Sequence, residues 1–388
     1  MFSQRQNKQI DLVFSTRDKG LYYYQKALEG KSGPVVLIEG ENFKLISSYD
    51  YLGLLGHPSI EAAAKEAIDN FGTGSGGVRL LSGTNTLHLS LEEQLADFVG
   101  RESVLTYTSG YSANIAVLST LFSSKDVALI DSKIHQSTVD ACKLAGLSFR
   151  RYEHNDVNSL ERLLKLYRSG ERVVIITEGI FSMDGDICRL PELLAVKEKY
   201  KALLMLDEAH SLGVLGEQGQ GVIHHFGLNP RKVDIITASL SKAIPANGGF
   251  VAGSKELIAL LQHNSSPFVF SAAMPPAAAA VVMKSINIMK TEPDRFLTLW
   301  NNTQYFRDQL ITLGYDLGAS ESPILPLHVG RLEETLKFAG SLYEYGILAT
   351  PVVYPAVAHD QGILRLCITA AHSRAYLDEV VEVFKKLG

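Results

Sequence analysis

Lys242 and Asp207 are the two residues of this 388-residue chain that most directly suggest chemistry. They stand 35 residues apart, and each follows an apolar segment of the kind that forms a buried strand. A lysine amine can hold pyridoxal phosphate as a Schiff base, and this cofactor works as an electron sink when a carboxylate keeps its ring nitrogen protonated. The two residues together therefore predict a pyridoxal-phosphate site. Each alone has a simpler explanation, as a surface lysine or as a helix-capping aspartate.

A phosphate site is predicted at Ser109, Gly110 and Tyr111, where a strand-like segment gives way to a helical one. The first N–H groups of a helix have no partners within it, and the helix dipole adds positive potential there. Phosphate groups bind at such positions. A helix-capping role for Ser109 explains that residue without any ligand.

Three further side chains could contact a cofactor or its substrate. His135 follows the apolar segment 127–130, and its flat ring could stack on a pyridine ring. Ser182 lies in a polar loop after segment 173–176, where its hydroxyl could form a hydrogen bond with the cofactor's phenolic oxygen. Arg365 lies inside an apolar segment, and its guanidinium suits a substrate carboxylate. Each residue also has an alternative without a ligand. His135 could be a histidine whose hydrogen bonds stay within the protein, and the loop of Ser182 could be explained by its Asp-Gly turns. Arg365 could belong to a buried ion pair.

The spacing of the apolar segments predicts the scaffold that holds these residues. From residue 104 onward, uniformly apolar segments of strand length alternate with helical ones. This alternation predicts an α/β fold with a mostly parallel central sheet that is buried on both faces. Ligands of such sheets bind beyond the carboxyl ends of the strands, which is where the polar residues stand. We expect an N-terminal arm at 1–45, a large cofactor-binding domain at 46–280 and a smaller C-terminal α/β domain at 281–388.

Composition and charge argue against several classes of protein. The net charge is −5 and the charges are mixed, which argues against a nucleic-acid-binding face. The N-terminus lacks the apolar core of a signal peptide, and no run of about 18 apolar residues predicts a membrane span. Cys142, Cys188 and Cys367 are odd in number and far apart, which argues against a disulfide framework or a metal site. We therefore expect a cytoplasmic protein.

The motifs resemble those of the α-oxoamine synthase family, a branch of the fold-type-I, aspartate-aminotransferase-like enzymes that use pyridoxal phosphate. The resemblance covers almost the whole chain and keeps the family's order and spacing. One departure is Pro245, three residues after the lysine, where the family usually has a glycine-bearing turn. The segments that carry the resemblance are 51–54, 76–84, 109–111, Asp131 with His135, 177–186, 207–213, Ser241-Lys242 and 364–372.

The resemblance implies a role for each candidate residue. Lys242 is implied as the Schiff-base lysine, Asp207 as the partner of the pyridine nitrogen and His135 as the residue that stacks on the ring. His210 and Ser182 are implied to contact the phenolic oxygen. The residues implied to bind the phosphate are Ser109, Gly110, Tyr111, Ser239 and Ser271 of the partner subunit.

The substrate residues and the assembly are also implied by the resemblance. Arg365 takes the amino-acid carboxylate, and Tyr49 stands where many relatives have an asparagine near that carboxylate. Members of the family are homodimers with active sites at the subunit interface. The same assembly is therefore expected for this chain.

The implied reaction is a decarboxylative condensation of serine, glycine or alanine with an acyl thioester of coenzyme A or of an acyl-carrier protein. It gives an α-amino ketone, carbon dioxide and a free thiol. Segments 154–157 and 177–186 suit 8-amino-7-oxononanoate synthase, and 2-amino-3-ketobutyrate CoA ligase is a further alternative. Features like those of serine palmitoyltransferase, the preferred member, lie at 20–24, 292–295 and 351–357.

Two more distant alternatives share the fold. An aminotransferase or amino-acid decarboxylase would use the same cofactor but no thioester. A non-catalytic partner subunit is the other alternative, and the presence of both Lys242 and Asp207 argues against it.

Overall fold

The structure, a computed structural model, describes residues 1–167, 172–354 and 356–388. Pro355, part of the segment 351–357 considered above, lies outside the described residues. The chain divides into two compact units. The larger unit comprises 50–182 and 186–297, and the smaller comprises 1–49, 183–185 and 298–388. The domain boundaries at 45/46 and 280/281 stay predictions.

Strands and helices alternate along most of the chain. The strands are β1 (Val35–Ile38), β2 (Glu41–Leu45), β3 (Ser103–Tyr107), β4 (Val127–Asp131), β5 (Ser148–Tyr152), β6 (Val173–Glu178), β7 (Leu203–Asp207), β8 (Ile235–Ser239), β9 (Gly249–Gly253), β10 (Ile324–Gly330), β11 (Ile347–Leu348), β12 (Thr350–Val352) and β13 (Gly362–Cys367). The helices are α1 (Gln4–Asp18), α2 (Pro58–Phe71), α3 (Thr86–Val99), α4 (Gly110–Leu121), α5 (Gln136–Leu144), α6 (Val157–Leu164), α7 (Leu190–Tyr200), α8 (Val222–His225), α9 (Lys255–Asn264), α10 (Ser266–Val269), α11 (Pro276–Thr291), α12 (Asp294–Thr312), α13 (Leu332–Glu344) and α14 (Arg374–Leu387).

A seven-stranded sheet forms the centre of the larger unit, in the order β3-β9-β8-β7-β6-β4-β5. The five consecutive strands β5-β4-β6-β7-β8 run parallel to one another. Every residue of β6 and β8 is buried, as expected for strands covered on both faces. The predicted mostly parallel sheet is confirmed.

Strand β9 runs antiparallel to both of its neighbours, β8 and β3. Its direction follows from the length of the preceding connection. Only residues 240–248 join β8 to β9. A crossover between parallel strands needs about a dozen residues or more, so the chain can only turn back beside β8.

Helices α4 and α5 supply much of the apolar core on one face of this sheet. Their buried side chains include Val117, Leu118 and Val139, which cluster with Ile130 and Ile176 of the strands. Small residues such as Ala113 and Ala116 also lie on the buried face of α4, which lets the helix approach the sheet closely.

The smaller unit contains two three-stranded sheets, in the orders β1-β2-β11 and β10-β13-β12. The N-terminal strand β2 pairs in parallel with β11, so this unit combines residues from both ends of the chain. Phe306 and Phe384 lie at the centre of its core, with ring centroids 6.1 Å apart. Among the described residues, no helix has both the length and the apolar run needed to cross a membrane.

A buried ion pair in the larger unit ties α3 to the edge strand β3. Arg79 donates to both carboxylate oxygens of Glu92, at 2.8 and 2.9 Å. The same carboxylate accepts hydrogen bonds from the backbone N–H and the hydroxyl of Thr106, at 2.9 and 2.8 Å. Both members of the ion pair are buried.

We expect Glu92→Gln to lower the free energy of unfolding by about 3 kcal/mol, because Arg79 would remain buried without its counter-charge. Urea unfolding followed by circular dichroism measures this loss. The matched control is Glu93→Gln, the exposed neighbour in the same helix, for which a change within about 0.5 kcal/mol is expected. Equal effects of the two substitutions would contradict a structural role for the ion pair.

Candidate active site

The carboxyl ends of the parallel strands bring candidate residues of the larger unit together. Asp207, the last residue of β7, is paired in register with Glu178 of β6 on one side and with Thr237 of β8 on the other. All three residues are buried. Ser239 ends β8 two residues further on. Two carboxyl groups and two hydroxyl groups therefore gather at this edge of the sheet.

The Asp207 carboxylate is oriented by two donors. Its Oδ2 accepts a hydrogen bond from Nδ2 of Asn114 at 2.8 Å, and its Oδ1 accepts one from the backbone N–H of Ala209 at 2.9 Å. The residue is only 7% exposed. Each carboxylate oxygen can accept more than one hydrogen bond, so Asp207 retains the capacity to accept one from a protonated ring nitrogen.

His135 caps the N-terminus of α5 and is held as a neutral ring. Its Nδ1 lies 3.2 Å from the backbone nitrogen of Ser137 and 2.8 Å from the Ser137 hydroxyl. A backbone N–H can only donate, so Nδ1 accepts and carries no proton. Desolvation is the main cause that lowers the pKa of His135; Asp207 opposes this change and Lys242 adds to it. A flat, neutral imidazole suits the predicted stacking role.

Glu178 orients two of the predicted residues through their backbones. Its Oε1 accepts a hydrogen bond from the backbone N–H of His135, and its Oε2 accepts one from the backbone N–H of Ser182 at 3.3 Å. Burial, and then the negative charge of Asp207, raise the pKa of Glu178 to about 8. One buried carboxyl group thus connects the loops that follow β4 and β6.

The N-terminus of α4 lies against the ends of β8 and β9. A Cβ added to Gly110 would lie 3.0 Å from Cβ of Ser239, and one added to Gly249 would lie 2.4 Å from the backbone nitrogen of Gly110. This close approach explains why both positions are occupied by glycine, which has no Cβ. Ser109 is the N-cap of the helix, as its alternative interpretation proposed. The cap does not conflict with an anion site, because the first-turn N–H groups and Ser239 still meet at this edge.

Tyr111 and Ser271 lie further from the strand ends. The Tyr111 hydroxyl donates to Oδ2 of Asp140 in α5 at 2.8 Å, and its ring is half exposed. Ser271 follows α10 and lines a small cavity together with Thr108. Their predicted contacts with a phosphate group stay predictions.

Lys242 and His210 follow the ends of β8 and β7. Lys242 is half-buried, and its positive charge acts on the pKa of both His135 and Glu178. The Nδ1 atom of His210 lies 2.9 Å from the hydroxyl of Tyr51, and both rings are buried. The larger unit therefore brings Lys242, His135 and Asp207 within electrostatic reach of one another.

Arg365 and Tyr49 belong to the smaller unit. Arg365 lies in β13, the middle strand of its sheet, opposite Pro326 of β10 and Thr350 of β12. Its Nη1 lies 3.0 Å from Sγ of Cys367, and the side chain is half-buried. Tyr49 is about half exposed. Their predicted contacts with a substrate stay predictions.

Sequence reasoning does not find Asn114, Ser137 or Tyr51 as members of this site. Asn114 offers a signal, since it is a polar residue among the otherwise apolar buried positions of α4. Tyr51 stands in a motif of the family resemblance, but its partner His210 is 159 residues away. Ser137 offers no signal of its own.

The mixed seven-stranded sheet and the site at its carboxyl edge define the fold-type-I class of pyridoxal-phosphate-dependent transferases, as predicted. The chain belongs to the aminotransferase class I and II family, whose model matches residues 43–384.

Three known proteins are similar to the chain over nearly its whole length. It is 43% identical to 8-amino-7-oxononanoate synthase of Thermoanaerobacter pseudethanolicus, over 95% of this chain and 93% of the relative. It is 40% identical to serine palmitoyltransferase of Sphingobacterium spiritivorum, over 97% of this chain and 95% of the relative. A solved structure of SPT with PLP internal aldimine superposes with a TM-score of 0.94 at 29% identity, over 98% of this chain and 96% of that one. The predicted family resemblance is confirmed.

A cluster of charged and polar groups beside the site is centred on His154. Its Nδ1 lies 2.9 Å from Oδ1 of Asp131, and its Nε2 lies 3.2 Å from Oδ1 of Asp186. Asn155 donates to both carboxylates at 2.8 Å. Desolvation lowers the pKa of His154, but the hydrogen bonds to both aspartates outweigh it and raise the pKa to about 9. The imidazolium therefore holds Asp186 against the end of β4.

We expect the stability of the protein to decrease as the pH rises from about 6.5 to 9. The raised pKa means that the charged His154 stabilises the fold fully below about pH 6.5 and that this contribution is lost as the pH passes about 9. Integrated over this window, the loss is about 2–3 kcal/mol. In urea unfolding at several pH values, His154→Gln should flatten this slope, whereas the exposed-site control His225→Gln should not. An unchanged slope in His154→Gln would contradict the assignment.

Proposed function

We propose that this protein is a pyridoxal-phosphate-dependent acyltransferase of the α-oxoamine synthase type. It condenses a small α-amino acid with an acyl thioester, releases carbon dioxide and the free thiol, and leaves an α-amino ketone. The observation that carries the proposal is the placement of Lys242 after β8 and of the buried Asp207 carboxylate at the end of the adjacent strand β7. Relatives named 8-amino-7-oxononanoate synthase and serine palmitoyltransferase support the reaction.

The residues of the site fit pyridoxal phosphate. Gly110 and Gly249 keep the N-terminus of α4 close to the strand ends, and Ser239 stands beside it with a hydroxyl group. A dianionic phosphate is stabilised by such a helix terminus. Asp207 is an acceptor for a protonated ring nitrogen, and the neutral ring of His135 suits stacking against a cationic ring. The phosphate and the protonated ring nitrogen of the cofactor thus each have a complementary group.

When bound, pyridoxal phosphate supplies an electron sink for negative charge that develops at the α-carbon of the amino acid. Lys242 would hold the cofactor through its amine, and the same amine, once free, would act as the base that takes the proton from the α-carbon. The Asp207 carboxylate would accept a hydrogen bond from the ring nitrogen and so favour its protonated form. His210 and Ser182 would contact the phenolic oxygen. The hydroxyl of Tyr51 orients the ring of His210 through Nδ1.

The remaining predicted residues bind the ends of the ligands. The residues that would bind the phosphate group are Ser109, Gly110, Tyr111 and Ser239, together with Ser271 of the partner subunit. In the smaller unit, the planar guanidinium of Arg365 would bind the amino-acid carboxylate. Tyr49 is the second residue proposed to bind the substrate.

The preferred reaction is that of a serine palmitoyltransferase, with L-serine and a long plain acyl chain. Residues 20–29 contain no arginine that could bind a short dicarboxylic acyl tail. The second candidate joins L-alanine to a pimeloyl thioester, as in 8-amino-7-oxononanoate synthase. It is favoured by the identity of 43% to a relative of that name, against 40% to serine palmitoyltransferase.

The test is a condensation assay with three amino acids and two acyl donors. The purified protein, loaded with pyridoxal phosphate, is mixed with serine, glycine or alanine and then with palmitoyl-CoA or pimeloyl-CoA. We expect one pair to release thiol and carbon dioxide in equal amounts. Lys242→Ala should lower the rate by at least about 10²–10⁴-fold, since the base is lost. Lys255→Ala, at an exposed lysine of α9, is the matched control.

Other outcomes identify the competing functions. Conversion of the cofactor to its amine form by an amino acid alone, without thiol release, would indicate an aminotransferase. Failure to take up pyridoxal phosphate would indicate a non-catalytic partner subunit. Activity that persists in Lys242→Ala would contradict the proposed mechanism.

We propose that the protein works as a homodimer. An isolated antiparallel bridge between Val78 and Ala272 brings two loops of the larger unit side by side. These loops expose Leu81 (83%) and Phe270 (80%), and Leu80 beside Leu81 is 40% exposed. Clustered apolar side chains of this kind mark interaction surfaces. A second copy of the chain is the proposed occupant, because Ser271 lies in the same loop and is assigned to the partner's phosphate.

Leu81→Glu is expected to convert the dimer to a monomer and to weaken the binding of pyridoxal phosphate. A carboxylate at this position would be buried without a partner in the dimer. Analytical ultracentrifugation measures the assembly, and absorbance titration measures cofactor affinity. Leu144→Glu, at an exposed leucine of α5, should leave both unchanged. A monomeric wild-type protein with full activity would contradict the proposal.

We also propose a cytoplasmic location. Cys142, Cys188 and Cys367 are buried, unpaired thiols, and such thiols persist in a reducing compartment.

A further inference from the structure

A chain of hydrogen bonds joins Asp207 to His135 through two residues to which the proposed reaction assigns no role. Nδ2 of Asn114 lies 2.8 Å from Oδ2 of Asp207 and 2.9 Å from Oγ of Ser137. Oγ of Ser137 lies 2.8 Å from Nδ1 of His135. Asn114 is 1% exposed and Ser137 is fully buried, so bulk water does not compete for these hydrogen bonds.

The direction of each hydrogen bond follows from the carboxylate. An ionised carboxylate only accepts, so the atom of Asn114 that faces Asp207 is the amide nitrogen. The carbonyl oxygen of Asn114 then faces Thr237, whose hydroxyl donates to it at 2.7 Å. The second amide hydrogen points to Ser137, and the Ser137 hydroxyl therefore accepts from Asn114. It is left with its own hydrogen to donate to Nδ1 of His135.

We infer that Asn114 and Ser137 are positioning residues through which Asp207 holds His135 as the tautomer protonated on Nε2. The backbone N–H of Ser137 also donates to Nδ1, at 3.2 Å, and supports the same tautomer. The use of this tautomer rests on the proposed function, since Asp207 and His135 are the residues assigned to the cofactor's ring. A neutral ring can stack on a positively charged pyridine ring without repulsion between like charges.

The charged groups around His135 do not enforce this state by themselves. Asp207 from β7 and Asp140 from α5 favour the imidazolium, whereas Lys242 from the turn after β8 opposes it. Glu178 from β6 contacts the backbone nitrogen of His135. Donation from Ser137 to Nδ1 acts directly on the neutral form, because the accepting lone pair is the one that a second proton would need.

The test is ¹⁵N NMR of protein labelled at histidine, with and without bound pyridoxal phosphate. The His135 signals are assigned by their loss in His135→Gln. In the wild type we expect an unprotonated Nδ1 and a protonated Nε2 in both forms. Ser137→Ala should raise the pKa of His135 by about half a unit to one unit, since the neutral ring loses one hydrogen bond. Asn114→Leu should act in the same direction.

Thr138→Val is the matched control. Thr138 is the next residue of α5, and its buried hydroxyl has no hydrogen-bond partner. Its substitution removes a buried hydroxyl of the same helix without touching the chain from Asp207 to His135. We expect it to leave the tautomer and the pKa of His135 unchanged.

A proton on Nδ1 of His135 in the wild type would overturn the inference, even if every variant failed to fold. An identical pKa of His135 in Ser137→Ala and Thr138→Val would also overturn it. The cofactor-free protein separates this inference from the proposed function. A protein that holds the Nε2–H tautomer but does not bind pyridoxal phosphate would contradict the proposed function alone.

Discussion

The buried carboxylate of Asp207 is the constraint on which the site depends. A charged group at the end of a central strand costs free energy unless donors replace the water that it loses. Asn114 and the backbone of Ala209 supply those donors. Because Asn114 belongs to α4, this helix must approach the ends of β7 and β8. The glycines at 110 and 249 follow from that approach, since a Cβ at either position would meet the facing backbone or side chain.

The carboxyl groups next to Asp207 have a different function from Asp207 itself. Glu178 and Glu208 are fully buried, and burial is the main cause that raises their pKa values to about 8 and about 7. The nearby negative charge of Asp207 contributes to both of these shifts. Glu178 accepts a hydrogen bond from the backbone N–H of Ser182, and Glu208 accepts one from the backbone N–H of Val222, the first residue of α8. The Asp207 carboxylate is thus the one proposed to meet the ligand, while its two neighbours hold adjoining backbone segments in place.

Much of this arrangement is predictable from the sequence, because buried parallel strands appear in it as uniformly apolar segments. Lys242 and Asp207 follow uniformly apolar segments, and the carboxyl ends of such strands lie at one edge of the sheet. The direction of β9 follows from the short connection before it. Contacts between distant segments are not predictable in this way. His154 stands in a segment of the family resemblance, but its two aspartate partners lie 23 and 32 residues away in the sequence.

The sequence by itself determined the fold class, the cofactor chemistry and the residues at the strand ends, because apolar periodicity and motif spacing are local properties of the chain. Only the tertiary structure decided which side chains orient those residues. The amide of Asn114 joins Asp207, Ser137 and Thr237, which stand on three other elements. Their meeting depends on strand order, register and helix approach, and no pattern of apolar and polar residues along the chain records these three quantities.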